Sequence, residues 1–459
     1  MSEYINNEKT IQERITKKIE DILHTSIKDE TLFKSKSLKA EYGYSYKSYI
    51  IKDEFVEAIK RLNPSILNNP DILIDYDNRI QAIWEDFSSK YNITPQEGLH
   101  HLFMTMTHSI SFKCKDGIHP FRYFILDQSI TTTQCSNNKI TIIREKALYM
   151  DGDGYQYPDF AIYCNGLPFF IIEVKNPQTT NPLLAALEDY RGKKTYHRFM
   201  LFIGTDGQEI SVLASPNTLN IATWRNYGKH RDEQEDINGF FDFFNEIINN
   251  QLNLMLFCKF GIFSIPINKN SPDKTILSTA RVQQYFLIKA FFYKVKEFYN
   301  KGNEPFRCLV KHPARSGKTI SARSCIEMVL SLFHNKFDKI FIQAPDTKIA
   351  EQFWKDCYRF NFSNNMPVYR IECRKRNHYN RNFSYEEAIT SASKGIYIMN
   401  MQNIDSEELD VRNDSHKVLF IIDEVHTHQN ANMSTYRDLQ FPNASYLVFT
   451  ATPRIKKTL

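Results

Sequence analysis

The sequence predicts an α/β protein built from two unlike domains, and three observations carry that reading. Residues from about 110 to 215 form short β-prone runs broken by Gly, Asn and Pro, including KITIIRE, DFAIYCNG, FFIIEV and RFMLFIGTDG. From 281 onward, apolar runs of strand length alternate with helical stretches of roughly 10–15 residues. Between them lies the polar, Pro-containing stretch SIPINKNSPDKTILST. The 459 residues, at about 100–200 residues per domain, call for two or three cores. Hydrophobic residues at 42% and aromatic residues at 14% are enough to fill them and exclude wholesale disorder.

The first elements are helical. IQERITKKIEDIL and DEFVEAIKRLN repeat apolar residues at three and four, so both read as amphipathic helices, and Asn63-Pro64 closes the second. The β-rich stretch beyond them is interrupted by one helix, PLLAALEDYRGKK. GFFDFFNEIINNQLNLMLFCKFGIF is helical and apolar. The expected boundaries are therefore a first domain over 1–263 with a helical N-terminal region, a linker at 264–280, and a second domain over 281–459. In the second domain FRCLVKH, DKIFIQA, GIYIMNM, KVLFIID and SYLVFTAT are continuous apolar runs between helices, the pattern of a parallel sheet buried on both faces.

The N-terminus, MSEYINNEKTIQERITKKIEDI, is charged rather than apolar. No stretch approaches the roughly 20 apolar residues of a membrane span, so a soluble cytoplasmic protein with no membrane partner is expected. Eight scattered cysteines, each more than fifteen residues from the next, exclude close-spaced zinc patterns and suit reduced, buried thiols. A formal charge of +5 is too small for this length to announce a polyanion by itself.

Two constellations carry chemistry. In YQYPDFAIYCNGLPFFIIEVKNP the Asn-Gly of CNGL supplies a hairpin turn, which brings Asp159 on one strand beside Glu173 at the end of the next. Glu173 and Lys175 alternate with Val174 and share a face. Two carboxylates that converge beside a lysine suit a hard divalent cation such as Mg²⁺, which keeps several waters, one within reach of the lysine. The competing reading is an Asp that caps a turn beside a strand-end ion pair. MDGDGY nearby offers Asp151 and Asp153, but a calcium loop opened at Asp151 would need Glu where Ile162 stands, so it reads as a polar turn.

The second constellation is HPARSGKT after an apolar strand and before a helix. Gly317 leaves space for phosphates, Lys318 reaches their oxygens, Thr319 is placed to ligate Mg²⁺, and His312 and Ser316 complete the loop. About a hundred residues on, Asp423-Glu424-Val425-His426 ends another apolar strand. Asp423 suits Mg²⁺, Glu424 an attacking water, and His426 coupling to the next element, Thr450-Ala451-Thr452. Arg281 and Gln284 lie upstream, at the place where the ATP-driven motors that this constellation resembles contact adenine. The basic run RIECRKRNHYNR, with Tyr379, reads either as a phosphate grip or as a solvated loop.

Pro-Asp, fourteen residues, then Glu-x-Lys resembles the core of the PD-(D/E)xK nucleases. More narrowly, DFAIYCNGLPFFIIEVKNP is similar to the nuclease domain of the motor (R) subunit of type I restriction endonucleases. The loop, the DExH box and the Thr-Ala-Thr resemble the first RecA-like lobe of a superfamily 2 helicase or translocase, as do smaller matches in KIAEQF and GIYIMNMQNI. His312 accords with the type I pattern, whereas Pro313, Ala314 and Arg315 depart from it. The resemblance covers roughly residues 40–459. It implies a PD-(D/E)xK domain ahead of a RecA-like parallel-sheet P-loop domain. Asp159 and Glu173 would hold Mg²⁺ while Lys175 acts on the water, and Lys318, Thr319, Asp423, Glu424 and His426 would serve ATP. The partners implied are double-stranded DNA and separate methyltransferase and specificity subunits, and the activity is that of a type I site-specific deoxyribonuclease. That family commonly has Gln four residues before the Tyr matched by Tyr190, where this chain has Ala186. Because the sequence stops at TATPRIKKTL, a fragment or truncated protein without a second motor lobe is expected, with weak ATP hydrolysis at most. The alternatives are a catalytically idle DNA-binding or assembly module and a stand-alone antiviral nuclease-helicase.

Overall fold

The computed structural model describes residues 8–23, 28–29, 49–64, 76–107, 110–114, 117–121, 138–150, 154–214, 222–225, 243–248, 250–268, 271–302, 304–312, 316–333, 336–358, 362, 366–371, 382–400, 411–423 and 438–450. The chain divides into two compact units, Met1–Val282 and Gln283–Leu459. The described helices of the first unit are α1 (Glu8–Leu23), α2 (Lys52–Leu62), α3 (Tyr76–Tyr91), α4 (Pro95–Thr107), α5 (Pro182–Gly192) and α6 (Gln251–Phe260). Its strands are β1 (Lys28–Asp29), β2 (Ile110–Cys114), β3 (Gly117–Phe121), β4 (Ile140–Arg144), β5 (Leu148–Met150), β6 (Gly154–Gln156), β7 (Phe160–Cys164), β8 (Leu167–Val174), β9 (Leu201–Thr205), β10 (Glu209–Leu213), β11 (Ala222–Arg225), β12 (Ile262–Asn268) and β13 (Ser271–Thr279).

A seven-stranded sheet in the order β1-β4-β7-β8-β9-β10-β11 organises this unit. At its middle, β8 pairs antiparallel with β7 and parallel with β9, and every one of its residues is buried. Such a strand cannot show a polar face, which is why LPFFIIEV is an apolar run until Glu173. The β7–β8 turn holds Asn165 at φ 51° and Gly166 at φ 79°, the left-handed pair that a two-residue hairpin demands. Asn165 is clamped from outside the hairpin. Its Oδ1 accepts from the Lys139 backbone at 2.9 Å and from Arg61 at 3.0 Å, and its Nδ2 donates to Asn138 at 2.9 Å. Gly166 lies against the start of α2, where a side chain would meet the Ile51 carbonyl oxygen at 2.4 Å. The turn is thus fixed on both sides, and with it the pairing of Phe160 with Ile172 that sets the far end of the hairpin.

Residues 264–280 are the stretch expected as a linker. Their described part belongs to β12 and β13, an antiparallel hairpin that runs from the Ile262–Thr279 pair to Asn268–Ser271. Pro266 and the polar residues gave the stretch the look of a loop. The register shift between Pro266 and Asn268 lets the proline sit in a paired strand. The boundary therefore falls at Val282/Gln283.

The second unit holds α7 (Val282–Asn300, its first residue in the first unit), α8 (Lys318–Leu332), α9 (Thr347–Tyr358) and α10 (Tyr385–Thr390). Its strands are β14 (Arg307–Lys311), β15 (Lys339–Ala344), β16 (Val368–Ile371), β17 (Asn382–Phe383), β18 (Gly395–Asn400), β19 (Val418–Ile422) and β20 (Ser445–Thr450). They form one sheet in the order β14-β20-β19-β15-β18-β16-β17, with every described pairing parallel. The predicted parallel α/β architecture is therefore present.

Register explains the run of aromatic residues here. Tyr369, Tyr397, Phe341, Phe420 and Tyr446 are strand-pair partners in turn. Their rings stack at 5.2, 5.2, 4.9 and 5.4 Å across five strands. Arg307 closes the row over Tyr446 at 4.9 Å. Lys339, buried, donates to the carbonyls of Ala388, Ile389 and Ser391 at 2.6–2.9 Å, satisfying the C-terminal end of α10.

Replacing Gly166 with Ala should destabilise the first unit by at least about 2 kcal/mol, because it adds left-handed strain to a clash with backbone. A fall in the urea midpoint of this unit's unfolding checks it.

Candidate functional site

Asp159, Glu173 and Lys175 are brought together as the hairpin predicts. Asp159 lies one residue before β7 and reaches across to β8, where its Oδ2 accepts the Val174 backbone N–H at 2.6 Å. The carboxylate thus takes the place of the ladder partner that β7 would have supplied. Its Oδ1 accepts from Gln12 on α1 at 2.6 Å. Glu173 is 4% exposed, and the next strand pairs its backbone with Gly204.

The surroundings of Glu173 include groups that sequence reasoning did not find. Lys175 Nζ lies 3.4 Å from Glu173 Oε2 and donates to Asp189 at 2.6 Å. Lys193 Nζ donates to Glu173 Oε1 at 3.1 Å and to the Tyr196 hydroxyl at 3.1 Å, and lies 3.6 Å from Asp189. Tyr196, wholly buried, donates its hydroxyl to Glu173 Oε1. Two carboxylates and two ammonium groups therefore form one network around the buried Glu173, with Glu173 and the half-exposed Asp189 each facing both lysines.

The charges act on one another. Burial raises the Asp159 pKa, and the neighbouring Glu173 carboxylate raises it further, to about 8, against the Val174 N–H that favours the ion. Burial alone would lower the Lys175 pKa. The Asp189 hydrogen bond and the Glu173 and Asp189 charges outweigh it and hold that ammonium above its ordinary range. Burial likewise works against the Asp189 carboxylate but loses to Lys175 and Lys193, so its pKa is lowered. Burial and Glu173 push the Tyr196 phenol up, which keeps it a donor.

The helix after the hairpin contributes differently from the expectation. Ala186 packs against β9, where a side chain at Gly204 would come within 2.8 Å of its Cβ. Tyr190 stacks on Phe202 at 4.4 Å in the core. A glutamine at 186 would have to enter that core. The helix reaches the carboxylates instead through Asp189, and the turn after it through Lys193 and Tyr196. Asp151 and Asp153 lie outside the described residues.

In the second unit, α8 begins straight after Gly317, whose φ of 84° is the left-handed value the loop requires. Gln284, buried on α7, donates to the carbonyls of Ser316 and Gly317 at 3.1 and 3.3 Å. A side chain at 317 would meet that amide at 2.2 Å, so the glycine serves both the turn and the close approach. The predicted adenine contact, Gln284, thus lies against the loop backbone. Lys318 Nζ is 3.8 Å from Asp423 Oδ1. The His312 backbone N–H donates to Thr450 at 2.9 Å, joining the loop to the end of β20.

His312 Nδ1, Ser316 Oγ and Asp423 Oδ1 are buried without a hydrogen-bond partner among the described residues. Three orphaned polar atoms around one glycine-lysine turn leave a site whose hydrogen bonding a phosphate and its cation would complete. Burial raises the Asp423 pKa against the pull of Lys318. Burial lowers that of His312, and Lys318 lowers it further against the Gln283 backbone contact. Thr319 stands in the first turn of α8. Glu424, His426, Ala451, Thr452, the 313–315 segment with Arg315, and residues 372–381 of the basic run lie outside the described residues.

Comparison with known proteins bears on both units. Residues 5–221 match the family "Type I restriction enzyme R protein N terminus", and residues 277–455 match "Type III restriction enzyme, res subunit". A Methanocaldococcus jannaschii protein named as the type I restriction enzyme MjaVIIIP endonuclease subunit is 22% identical over 447 residues, 92% of this chain and 41% of that protein. A second from the same organism, named for the MjaIXP endonuclease subunit, is 20% identical over 435 residues, 89% of this chain and 39% of its own length. The chain thus spans about two fifths of the curated relatives it matches. Among solved structures, the SWI2/SNF2 ATPase core of Sulfolobus solfataricus in complex with dsDNA aligns at a TM-score of 0.26 and 16% identity, over 38% of this chain and 32% of that one. With an R-protein N-terminal region matched ahead of a restriction-enzyme res region, the chain is R-subunit-like.

Proposed function

We propose that the first unit is a divalent-metal-dependent DNA endonuclease domain and the second the nucleotide-binding first lobe of an ATP-driven double-stranded DNA translocase. In the complete protein the two would work with methyltransferase and specificity subunits. The observation that carries this reading is the meeting of Asp159, Glu173 and Lys175 at the end of the buried hairpin. Among the described residues no group of three or more His, Cys, Asp or Glu side chains gathers to hold a metal. The carboxylates of Asp159 and Glu173 are oxygen donors, which suit Mg²⁺ with its retained waters better than zinc. Asp159 and Glu173 would hold the cation, which when bound would polarise the phosphodiester and acidify a water.

Lys175 is tethered by Asp189 beside Glu173 Oε2. Held in its charged form, it acts as a donor that positions the water and offsets charge on the phosphate rather than as the base. In the second unit Lys318 and Ser316 would take the nucleotide phosphates, and Thr319 and Asp423 the accompanying Mg²⁺. Glu424 and His426, expected to serve hydrolysis and coupling, belong to the same proposal. No described helix is long and apolar enough to cross a membrane.

Lys175→Ala should reduce Mg²⁺-dependent cleavage of duplex DNA by at least about 100-fold while leaving DNA binding in place, as gel assays of nicking and of retardation would show together. Unchanged cleavage would remove Lys175 from the mechanism. Metal binding at Asp159 and Glu173 competes with the proton that Asp159 holds below about pH 8. Mn²⁺ affinity should accordingly rise from pH 6 to pH 8 and level off above it, with proton release measurable by calorimetry in buffers of different ionisation enthalpy. In the second unit, Lys318→Ala should weaken binding of a fluorescent ATP analogue by about 10-fold or more, the loss of a charge-assisted phosphate contact.

A further inference from the structure

Glu173 has more partners than a metal ligand at a strand end needs, and they are divided between its oxygens. Oε1 accepts from the Tyr196 hydroxyl and from Lys193. Oε2 faces Lys175 at the longer distance of 3.4 Å. Tyr196 is fully buried and comes after α5 in a short 3₁₀ turn, Lys194–Arg198, so its ring is fixed by packing before any ligand arrives. Lys193 is the more exposed group. It stands at the C-cap of α5, with its side chain 29% exposed, and is also held by Tyr196 and Asp189.

Resting on the reading of the first unit as a metal-dependent nuclease, we propose that Tyr196 and Lys193 complete its site. Tyr196 is a positioning residue that fixes Glu173 through Oε1 and leaves Oε2 toward the metal. Lys193 is a resident counter-cation whose contact with Glu173 a divalent cation must displace. A neutral donor and an ammonium on the same oxygen then have opposite effects on metal binding. The phenol pre-aligns the carboxylate at no cost in charge, as outer partners of metal ligands do. The ammonium on Oε1 repels the incoming cation across the shared carboxylate. Once displaced from Glu173, Lys193 keeps its contact with Asp189 and stands at the edge of the site, where a DNA phosphate takes over as its anionic partner.

The test is Mn²⁺ binding to the 459-residue chain, monitored by the loss of the free-ion electron paramagnetic resonance signal, in unsubstituted protein, Asp159→Ala, Tyr196→Phe, Lys193→Met and Lys193→Arg. Tyr196→Phe, which removes only the hydroxyl, should weaken binding about 10–100-fold. Lys193→Met should tighten it several-fold while raising the DNA concentration needed for half-maximal cleavage, and Lys193→Arg should restore both values. Equal affinity in Tyr196→Phe and the unsubstituted chain would overturn the role of Tyr196, and weaker binding in Lys193→Met would overturn that of Lys193. If the unsubstituted chain binds no Mn²⁺, or binds it no differently from Asp159→Ala, the nuclease reading falls and this inference with it.

Discussion

The first unit depends on one constraint: Glu173 must carry a carboxylate at the end of a strand that is otherwise wholly apolar and central in its sheet. An ionised group in that position is tolerated only where hydrogen bonds and opposite charges replace the water it has lost. The surrounding chain supplies them from several directions. Lys175 emerges past the strand end, and Lys193 and Tyr196 arrive from the end of the helix behind and the turn after it, whereas Asp159 stands beside Glu173 as a like charge. Glu173 itself is buried, so removing a partner leaves its carboxylate less well compensated. The network therefore contributes to stability, and its parts cannot be changed independently.

Position is set by the turn at the opposite end of the hairpin. Asn165 and Gly166 adopt left-handed backbone, and α2, Arg61 and the 138–139 segment hold them there. From the turn β7 and β8 pair with one register shift, between Ile162 and Tyr163, and Asp159 takes up the Val174 N–H at the end of the pairing. The second unit uses register for a different end. Its in-line aromatic row ties five parallel strands together, and the two acting ends of the sheet, after β14 and after β19, come to lie near each other although β20 separates those strands. Lys318 and Asp423 meet there at 3.8 Å, flanked by polar atoms that lack partners within the described chain.

Much of this was legible in the sequence, because buried strands write continuous apolar runs and tight turns write Asn-Gly. The hairpin, the Asp159–Glu173–Lys175 grouping, the helix at 182–192 and the main strands of the second unit are of that kind. The hairpin at 262–279 was not, since prolines and polar residues mark a loop unless a register shift accommodates them. Gln12 lies 147 residues from its partner Asp159, and no local pattern links them. Lys193 and Tyr196 fall at the end of a helix and in a 3₁₀ turn, where neither period of three to four nor of two applies. Ala186 and Tyr190 lie on the core face of that helix, whereas the contacts with Lys175 and Glu173 come from Asp189 and from the turn beyond Gly192.

The central claim, that Asp159 and Glu173 form one divalent-metal site at the end of the hairpin, is tested most directly by crystals of the chain soaked in Mn²⁺. Anomalous diffraction should place a peak within bonding distance of a carboxylate oxygen of both residues, with Glu173 engaged through Oε2 and Tyr196 still on Oε1. A peak that touches neither carboxylate, or only one with the other turned away, would contradict the account.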